Sequence, residues 1–301
     1  MSHSNARDPF AEVTAKIVNA LEQGTVPWHR PWGFTEPAQN HFSGHQYRGV
    51  NALLMLLNDY QTPYFATMRQ INEAGGRVKK GTKATAVYFR DVNHKDATGK
   101  RIAPAEYSQR KQNGDTSLRA YSFMKIFPVF NMQNVEGCPV KPNSKTANPD
   151  NQTDQLCETF LSAIQPAPQI KTVATDQPGY SPTTDAIYMP PINQFDESAH
   201  YYAVLFHELT HWTGHATRLN RPAVVTRHDF GTETYSREEL TAELGAAFLC
   251  LKNNVLTDRV LTTAENYIGG WLKALINNKM MIWEAATEAQ AAVQFLTSQN
   301  Q

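Results

Sequence analysis

The first 80 residues show apolar positions at helical spacing. In residues 8–23, Phe10, Val13 and Ile17 recur on one helical face, and Asp8 is a suitable N-cap. The shorter apolar runs predict further helices at 50–60 and 67–75. The chain is therefore expected to begin with helices that bury one face each.

The pattern then changes to the alternation that is typical of strands. Alternating apolar residues predict strands over 85–90 and 119–131, joined as a hairpin. The connecting segment, 91–118, is polar and charged, so we expect it to be a mobile excursion of this hairpin. Residues 1–135 therefore predict a small sheet accompanied by helices.

Residues 136–154 are rich in Pro, Asn, Ser and Thr, which is the composition of a linker. The elements predicted beyond them are a helix at 154–165, strands at 169–175 and 186–189, and helices at about 196–214, 236–253, 259–276 and 278–297. A turn is expected around 178–180. The expected fold class is α+β, with an N-terminal domain of a small sheet plus helices over 1–135 and a mostly helical C-terminal domain over 155–301.

The charge distribution supports the division into two parts. The 301 residues carry 28 Lys and Arg against 28 Asp and Glu, so the formal net charge is zero. Residues 1–150 nevertheless hold 19 basic and 12 acidic residues, whereas residues 151–301 hold 9 and 16. The chain thus joins a basic part to an acidic part, and a polyanion is a candidate partner of the basic one.

Composition excludes several classes of protein. A hydrophobic content of 41% is enough for packed cores, which argues against a disordered chain. No apolar run approaches the ~18 residues needed to cross a bilayer, and the first residues lack the apolar region of a secretory signal. Cys138, Cys157 and Cys250 are scattered, which favours a reducing cytoplasm over a disulfide framework. We expect a cytoplasmic protein with no membrane partner.

The strongest chemical signal is the segment from His207 to His211, with the sequence His-Glu-Leu-Thr-His. Two histidines four residues apart lie on one helical face, where both imidazoles can bind one Zn²⁺ or another divalent metal ion. Glu208 lies beside them, where it can accept a proton from a metal-activated water. The segment predicts a zinc-dependent peptidase with His207 and His211 as ligands and Glu208 as the catalytic base. A helix with incidental histidines is the alternative.

A third ligand is expected because catalytic zinc sites use three protein ligands. Glu239 and Glu243 are four residues apart in an otherwise apolar predicted helix, where carboxylates are costly unless paired or metal-bound. The pattern resembles the zincins that have a glutamate ligand. That resemblance implies Glu239 as the third ligand and Glu243 as the residue that orients a ligand histidine, with Glu243 as a reserve ligand. Glu238 is expected to be a solvated residue at the start of the helix.

Two further residues lie close to these motifs in the sequence. His215 follows His211 by four residues, but Gly214 is expected to end the helix, so His215 predicts a group beside the site and not a ligand. Tyr235 directly precedes the glutamate helix and is a candidate hydrogen-bond donor to an oxyanion.

The N-terminal part combines cations with aromatic residues. From Arg69 to Lys125 there are 13 Lys and Arg against 5 Asp and Glu, and the densest run is 75–83. Cations along a groove together with stacking rings are typical of single-stranded nucleic acid binding. The candidate DNA-binding residues are Trp28, Arg30, Trp32, Tyr47, Arg48, Asn51, Arg77, Lys79, Lys80, Lys83, Tyr88, Arg119 and Tyr121. A solvated basic loop is the alternative.

Several of these motifs together resemble the ArdC antirestriction family. The N-terminal ones are Trp28-His29-Arg30-Pro31-Trp32, Tyr47-Arg48-Gly49-Val50-Asn51, the run from Gly76 to Lys83, and Phe130-Asn131 with Gln133, and they also resemble the start of plasmid TraC-type primases. The C-terminal ones are 207–215, Arg218-Leu219-Asn220-Arg221 and 238–243, and they resemble the zincin half of the same family.

The resemblance implies a single-stranded-DNA-binding domain over 1–135, a linker over 136–154 and a zincin-like metallopeptidase domain over 155–301. It implies a protein that protects incoming plasmid DNA from host restriction, with double-stranded DNA as a weaker ligand. A DNA-bound or restriction-system protein would be the peptidase substrate. Transfer into the recipient cell together with the DNA is compatible with such a role.

Two alternatives to a DNA-tethered peptidase stay open. In the first, the protein coats single-stranded DNA and its metal site is structural or vestigial, so the basic part alone carries the function. In the second, the acidic part imitates the charge of DNA and acts as a decoy for a restriction enzyme. The acids do not occur in runs, which argues against the decoy.

Overall fold

The computed structural model has a mixed α+β fold, as the sequence predicts. The residues it describes are 8–23, 26, 28, 36–57, 60–140, 154–174, 177–195, 197–226, 232–255 and 264–298.

A five-stranded sheet forms the centre of the N-terminal part. Its elements and their neighbours are α1 (Pro9–Glu22), β1 (Gln39–Asn40), α2 (Val50–Leu56), β2 (Tyr64–Thr67), α3 (Met68–Glu73), β3 (Arg77–Val78), β4 (Thr85–Lys95), β5 (Arg101–Ile102), α4 (Pro104–Gln112), β6 (Arg119–Asn131) and β7 (Val135–Glu136). The strand order is β1-β2-β6-β4-β5, with β1 and β2 parallel and the other pairs antiparallel. Strands β3 and β7 form a separate two-stranded sheet.

The hairpin of β4 and β6 is longer than the sequence predicts. The register runs without a break from Thr85 opposite Val129 to Lys95 opposite Arg119. The prediction of a mobile excursion over 91–118 is wrong, because β4 continues to Lys95 and the segment also contains β5 and α4. Helix α4 buries none of its residues, so it lacks the apolar periodicity by which a helix is recognised.

Helices dominate the C-terminal part. Its elements are α5 (Gln155–Ser162), β8 (Gln169–Thr172), β9 (Gly179–Ser181), β10 (Ala186–Met189), α6 (Ser198–Thr213), α7 (Pro222–Val225), α8 (Glu233–Lys252), α9 (Ala264–Asn277) and α10 (Met281–Thr297). The strands form a sheet of order β8-β10-β9. The four long predicted helices are confirmed with shifted ends. The turn expected around 178–180 is instead the start of β9, whose three residues are too few to show alternation.

The largest hydrophobic core runs through both parts of the chain. Trp28 packs edge-to-face on Trp271, with ring centroids 5.6 Å apart. Tyr88 of β4 packs on Trp283 of α10 in the same way, at 5.4 Å. The domain division at 136–154 stays a prediction, but apolar packing crosses it, and helices α1 and α2 share a core with α8, α9 and α10.

No helix in the described segments combines the length and the apolar character that crossing a membrane requires.

Candidate metal centre and basic surface

Helix α6 presents the two motif histidines on one side. His207 and His211 are one turn apart, and their Nε2 atoms are separated by 3.2 Å. The α6 residues from Tyr202 to Thr210 are all buried, so packing fixes the direction in which the imidazoles face.

Helix α8 supplies a carboxylate, and a glycine allows the two helices to approach closely. A Cβ atom on Gly245 would lie only 2.5 Å from the side chain of Thr210 on α6. At this crossing Glu239 reaches both histidines. Its Oε2 atom is 3.7 Å from Nε2 of His207, and its Oε1 atom is 3.7 Å from Nε2 of His211.

These three side chains have the geometry of a metal site. Ligands at ~2.0–2.1 Å from a tetrahedral Zn²⁺ are about 3.3 Å from one another, and the donor atoms of His207, His211 and Glu239 all lie within 4.8 Å of one another. Two imidazole nitrogens and a carboxylate oxygen are the donor set of a catalytic zinc ion. The residues present therefore fit a divalent metal, with small movements of Glu239.

A carboxylate faces the second nitrogen of each histidine. Glu243 Oε1 lies 3.5 Å from Nδ1 of His207, so Glu243 is placed to orient that ring. Oε1 of Glu238 is 2.9 Å from Nδ1 of His211. The prediction that Glu238 is solvated is wrong, since only 5% of the residue is exposed. Sequence reasoning missed its role because the i, i+4 rule places only Glu239 and Glu243 on one helical face.

Arg221 holds Glu238 with a bidentate contact. Its Nε and Nη2 atoms donate to the two oxygens of Glu238 at 2.9 and 2.7 Å. Its remaining donors bind Thr213 Oγ1 and the carbonyl oxygen of Thr210 on α6. All these contacts are buried, so Arg221 links the loop after α6 to the carboxylate that orients His211.

The charges of the site favour a bound cation. Burial disfavours the charged form of His207, but the nearby carboxylate of Glu239 and the charges of Glu243 and Glu208 outweigh burial and raise its pKa to about 9. Burial also disfavours ionised Glu238, yet hydrogen bonds from His211 and Arg221 lower its pKa to about 2. The cluster therefore stabilises positive charge between its carboxylates, whether a proton or a metal ion supplies it.

Glu208 is held by an edge strand. The backbone N–H of Tyr180, in β9, donates to Oε2 of Glu208 at 2.7 Å. The hydroxyl of Tyr180 donates to Asp185, and Arg218 donates to Asp185 and stacks on Trp212, 3.8 Å from the ring centroid. Strand β9 is thus tied to the end of α6, and its position fixes the carboxylate of Glu208.

The two residues predicted beside the site differ in placement. Nδ1 of His215 is hydrogen-bonded to Thr217 Oγ1 at 2.9 Å, beyond the end of α6, and His215 is not part of the ligand cluster. Tyr235 is half-buried on the first turn of α8 and hydrogen-bonds Glu239, where it supports the ionised carboxylate.

Comparison with known proteins identifies both parts of the chain. Residues 7–130 match the N-terminal domain of the anti-restriction factor ArdC, and residues 157–288 match a zincin-like metallopeptidase family, MPTase-PolyVal. The metal-free crystal structure of the antirestriction protein ArdC from plasmid R388 is 31% identical and has a TM-score of 0.79, covering 97% of this chain and 98% of that one. The chain belongs to the ArdC family of antirestriction proteins.

Further relatives extend the comparison. The Mn(II)-bound structure of the R388 protein has a TM-score of 0.75 with the same coverage. Two Escherichia coli DNA primases TraC are 31% and 29% identical over 94% and 97% of the chain, which spans only 19% and 27% of their lengths. The Sinorhizobium fredii protein y4eC is 29% identical over 97% of this chain and 92% of its own length.

The structure divides the DNA-binding candidates of the chain into two groups. Arg48, Arg77, Lys79, Lys80, Lys83, Arg119 and Tyr121 are exposed. Trp28, Tyr47, Asn51 and Tyr88 are buried. Burial argues against Trp28, Asn51 and Tyr88 as DNA-contacting residues, because side chains within the core cannot offer a ring or an amide to a base. Tyr47 lines an open cavity and stays a candidate. Arg30 and Trp32 lie outside the described residues. Exposure was the missing information, since cationic and aromatic composition does not reveal it.

Asn51 has a structural role that we can test. Its Nδ2 donates to the carbonyl oxygen of Tyr88 and its Oδ1 accepts from the N–H of Tyr88, both at 2.8 Å. Asn51→Ala would leave two buried backbone groups without partners, so we expect a loss of about 2–4 kcal/mol in the free energy of unfolding. Urea denaturation measures it, with the exposed Asn113→Ala as control. Unchanged stability with weakened DNA binding would indicate that Asn51 contacts DNA and that its structural role is minor.

Proposed function

We propose that this protein is an antirestriction protein that binds single-stranded DNA without sequence specificity and carries a zinc metallopeptidase-like site. In this proposal it acts in the cytoplasm on a DNA-bound or restriction-system protein, and thereby protects incoming plasmid DNA from host restriction. It can also enter the recipient cell with the DNA.

The cluster of His207, His211 and Glu239, with Glu208 next to His207 on α6, is the observation that supports the catalytic half of the proposal. A divalent ion bound by these three ligands, Zn²⁺ in our proposal, would supply a Lewis acid that acidifies water and polarises a carbonyl. Glu208 then accepts the proton of the attacking water at its carboxylate and passes it to the leaving amine. Glu243 and Glu238 keep the two imidazoles oriented while this happens.

Exposed cations support the DNA-binding half. The loop around β3 presents Lys79, Lys80 and Lys83 to solvent, and Arg77 lies beside them. Cations that can reach successive phosphates give an attraction that does not depend on base sequence. Double-stranded DNA offers the same phosphates in a rigid duplex, and we expect it to bind more weakly.

Changing Lys79, Lys80 and Lys83 together to Glu tests this half. We expect affinity for a single-stranded oligonucleotide to fall at least tenfold at 0.1 M salt, and the slope of log K against log salt to decrease by about 2, since three phosphate contacts each contribute about 0.7. Fluorescence anisotropy across a salt series measures both. The control is the same change at three exposed lysines elsewhere, Lys16, Lys171 and Lys273. Equal loss in both triple variants would assign the effect to net charge and not to this loop.

One contact favours the second candidate function, a non-catalytic protein that coats single-stranded DNA and has a vestigial metal site. The N–H of Tyr180 donates a hydrogen bond to one carboxylate oxygen of Glu208. A peptidase needs this carboxylate as its base. Under that function, substitution of Glu208 has no effect on protection, whereas the triple lysine variant abolishes it.

A further inference from the structure

The solvent side of the β4–β6 hairpin carries a row of aromatic and basic residues. Side chains alternate across a strand, and the unbroken register therefore places the odd-numbered residues of both strands on one face. Its residues are Phe89, Asp91, Asn93 and Lys95 of β4, and Arg119, Tyr121, Phe123, Lys125 and Phe127 of β6. We call this set the hairpin face. Val87 lies on the same side but is buried in a second core with Phe65 and Val129.

The opposite side of the same hairpin is partly occupied by the protein. Tyr88 packs on Trp283, and Ala86 and Met124 pack against the main core. This leaves the hairpin face as the side on which large rings meet solvent. Tyr121 is 54% exposed and Phe127 is 42% exposed.

Cations accompany the rings along the hairpin face. The Nζ atom of Lys95 lies 5.5 Å from the ring centroid of Tyr121, and that of Lys125 lies 5.6 Å from the ring centroid of Phe123. Three cations on this face, Lys95, Arg119 and Lys125, stand against one acid, Asp91, which pairs with Lys125. The face is therefore basic as well as aromatic, and its charge suits a polyanion.

A cavity of about 460 Å³ opens at one end of the row. Phe89, Phe127 and His45 line part of it. The rings of Phe89 and Phe127 meet edge-to-face at 5.7 Å, and His45 lies tilted against Phe89 at 6.2 Å. Aromatic walls around an open cavity of this size can accept a flat heterocyclic base.

We propose that the hairpin face is a stacking platform for single-stranded DNA, with one base entering the cavity at Phe127 and further bases stacking towards Tyr121. From Phe127 to Tyr121 the strand extends about 20 Å, enough for several unstacked bases. Lys95 and Arg119 contact the phosphates, whereas Lys125 is paired with Asp91 and flanks the ring of Phe123. The platform rests on the proposed binding of single-stranded DNA and adds residues outside the basic loop at Lys79, Lys80 and Lys83.

The test compares two neighbouring residues on opposite sides of β6. Phe127 and Ile126 are equally exposed, at 42%, but only Phe127 belongs to the hairpin face. Binding of a fluorescent dT20 oligonucleotide is measured for the wild type, Phe127→Ala, Tyr121→Ala and Ile126→Ala. We expect a loss of about tenfold in affinity for each ring removed, no change for Ile126→Ala, and an unchanged salt slope, because no charge is removed.

An oligonucleotide with abasic sites provides a second readout. It keeps the phosphates but lacks bases, so wild type should bind it about as weakly as the ring variants bind dT20. Restoration of affinity by Tyr121→Trp, with its emission quenched by dT20, would support stacking directly.

The possible failures are distinguishable. If the wild type does not bind dT20, the proposed DNA-binding function itself is overturned. If the wild type binds and the ring variants bind equally well, the platform is overturned and the function stands. Equal loss in Ile126→Ala also overturns the platform, as does dissociation of a dimer by the ring substitutions with unchanged DNA binding, which would assign the face to a second copy of the chain.

Discussion

Glu208→Gln is expected to reduce peptide hydrolysis by about 10²–10⁴-fold while leaving metal and DNA binding intact. Glutamine keeps an oxygen that can accept the N–H of Tyr180, so the local structure is retained. It cannot accept the proton of the attacking water, so the base is lost. Cleavage of a fluorescently labelled unfolded protein, in the presence of single-stranded DNA and Zn²⁺ or Mn²⁺, measures the rate.

The exposed Glu197, just before α6, offers a matched control. Glu197→Gln should retain wild-type hydrolysis, metal stoichiometry and DNA affinity. Both variants are then compared in conjugation into a restricting host. Full protection by Glu208→Gln, with hydrolysis lost, would show that protection does not depend on the peptidase and would favour the DNA-coating function.

Arg221→Met is expected to destabilise the protein by about 3–5 kcal/mol, because it removes one partner of a buried ion pair and leaves the Glu238 carboxylate poorly compensated. A second effect should accompany it. Without Arg221 the Glu238 carboxylate no longer holds the His211 ring in a fixed orientation. Affinity for Zn²⁺ or Mn²⁺ should therefore fall about 10–100-fold. Urea denaturation and metal titration by calorimetry measure the two effects on metal-free protein.

The double variant Arg221→Met with Glu238→Gln separates charge from packing. If the cost of Arg221→Met is the uncompensated carboxylate, neutralising Glu238 should recover a large part of the lost stability. Metal affinity should stay low, because the neutral amide that replaces the Glu238 carboxylate is a weaker partner for His211. Equal stability of the single and double variants would indicate that the packing of Arg221 against Gly214, and not its charge, is what the protein loses.

The local part of the metal site could be predicted from the sequence. His207, Glu208 and His211 are within one turn of one helix, and the spacing of Glu239 and Glu243 indicates a second helix facing the first. Glu238 and Arg221 could not be predicted, because their contact depends on how the loop after α6 folds back against α8. Sequence spacing contains no information about that approach.

In the basic part, the sequence predicts a strand correctly but not which aromatic residues are exposed. The strand predicted over 119–131 is observed with the same ends. Alternation along a strand is enough to place Tyr121 and Phe127 on the same face. The aromatic residues of the Trp28 and Tyr47 motifs accompany arginines, and for that reason the sequence predicts them on the surface. Burial of Trp28 against Trp271 depends on a helix near the other end of the chain, as their ring contact shows. Only the tertiary structure distinguishes a core tryptophan from a stacking one.

The packing of Trp28 on Trp271 and of Tyr88 on Trp283 has a consequence for how this unit is inherited. A fragment ending near residue 136 would expose the apolar faces of α1 and α2, and the remaining fragment would lose the residues that cover α9 and α10. We therefore expect a break within 136–154 to destabilise both fragments. The matches to the TraC primases extend over 94% and 97% of the chain, as expected if both parts are inherited as one folding unit.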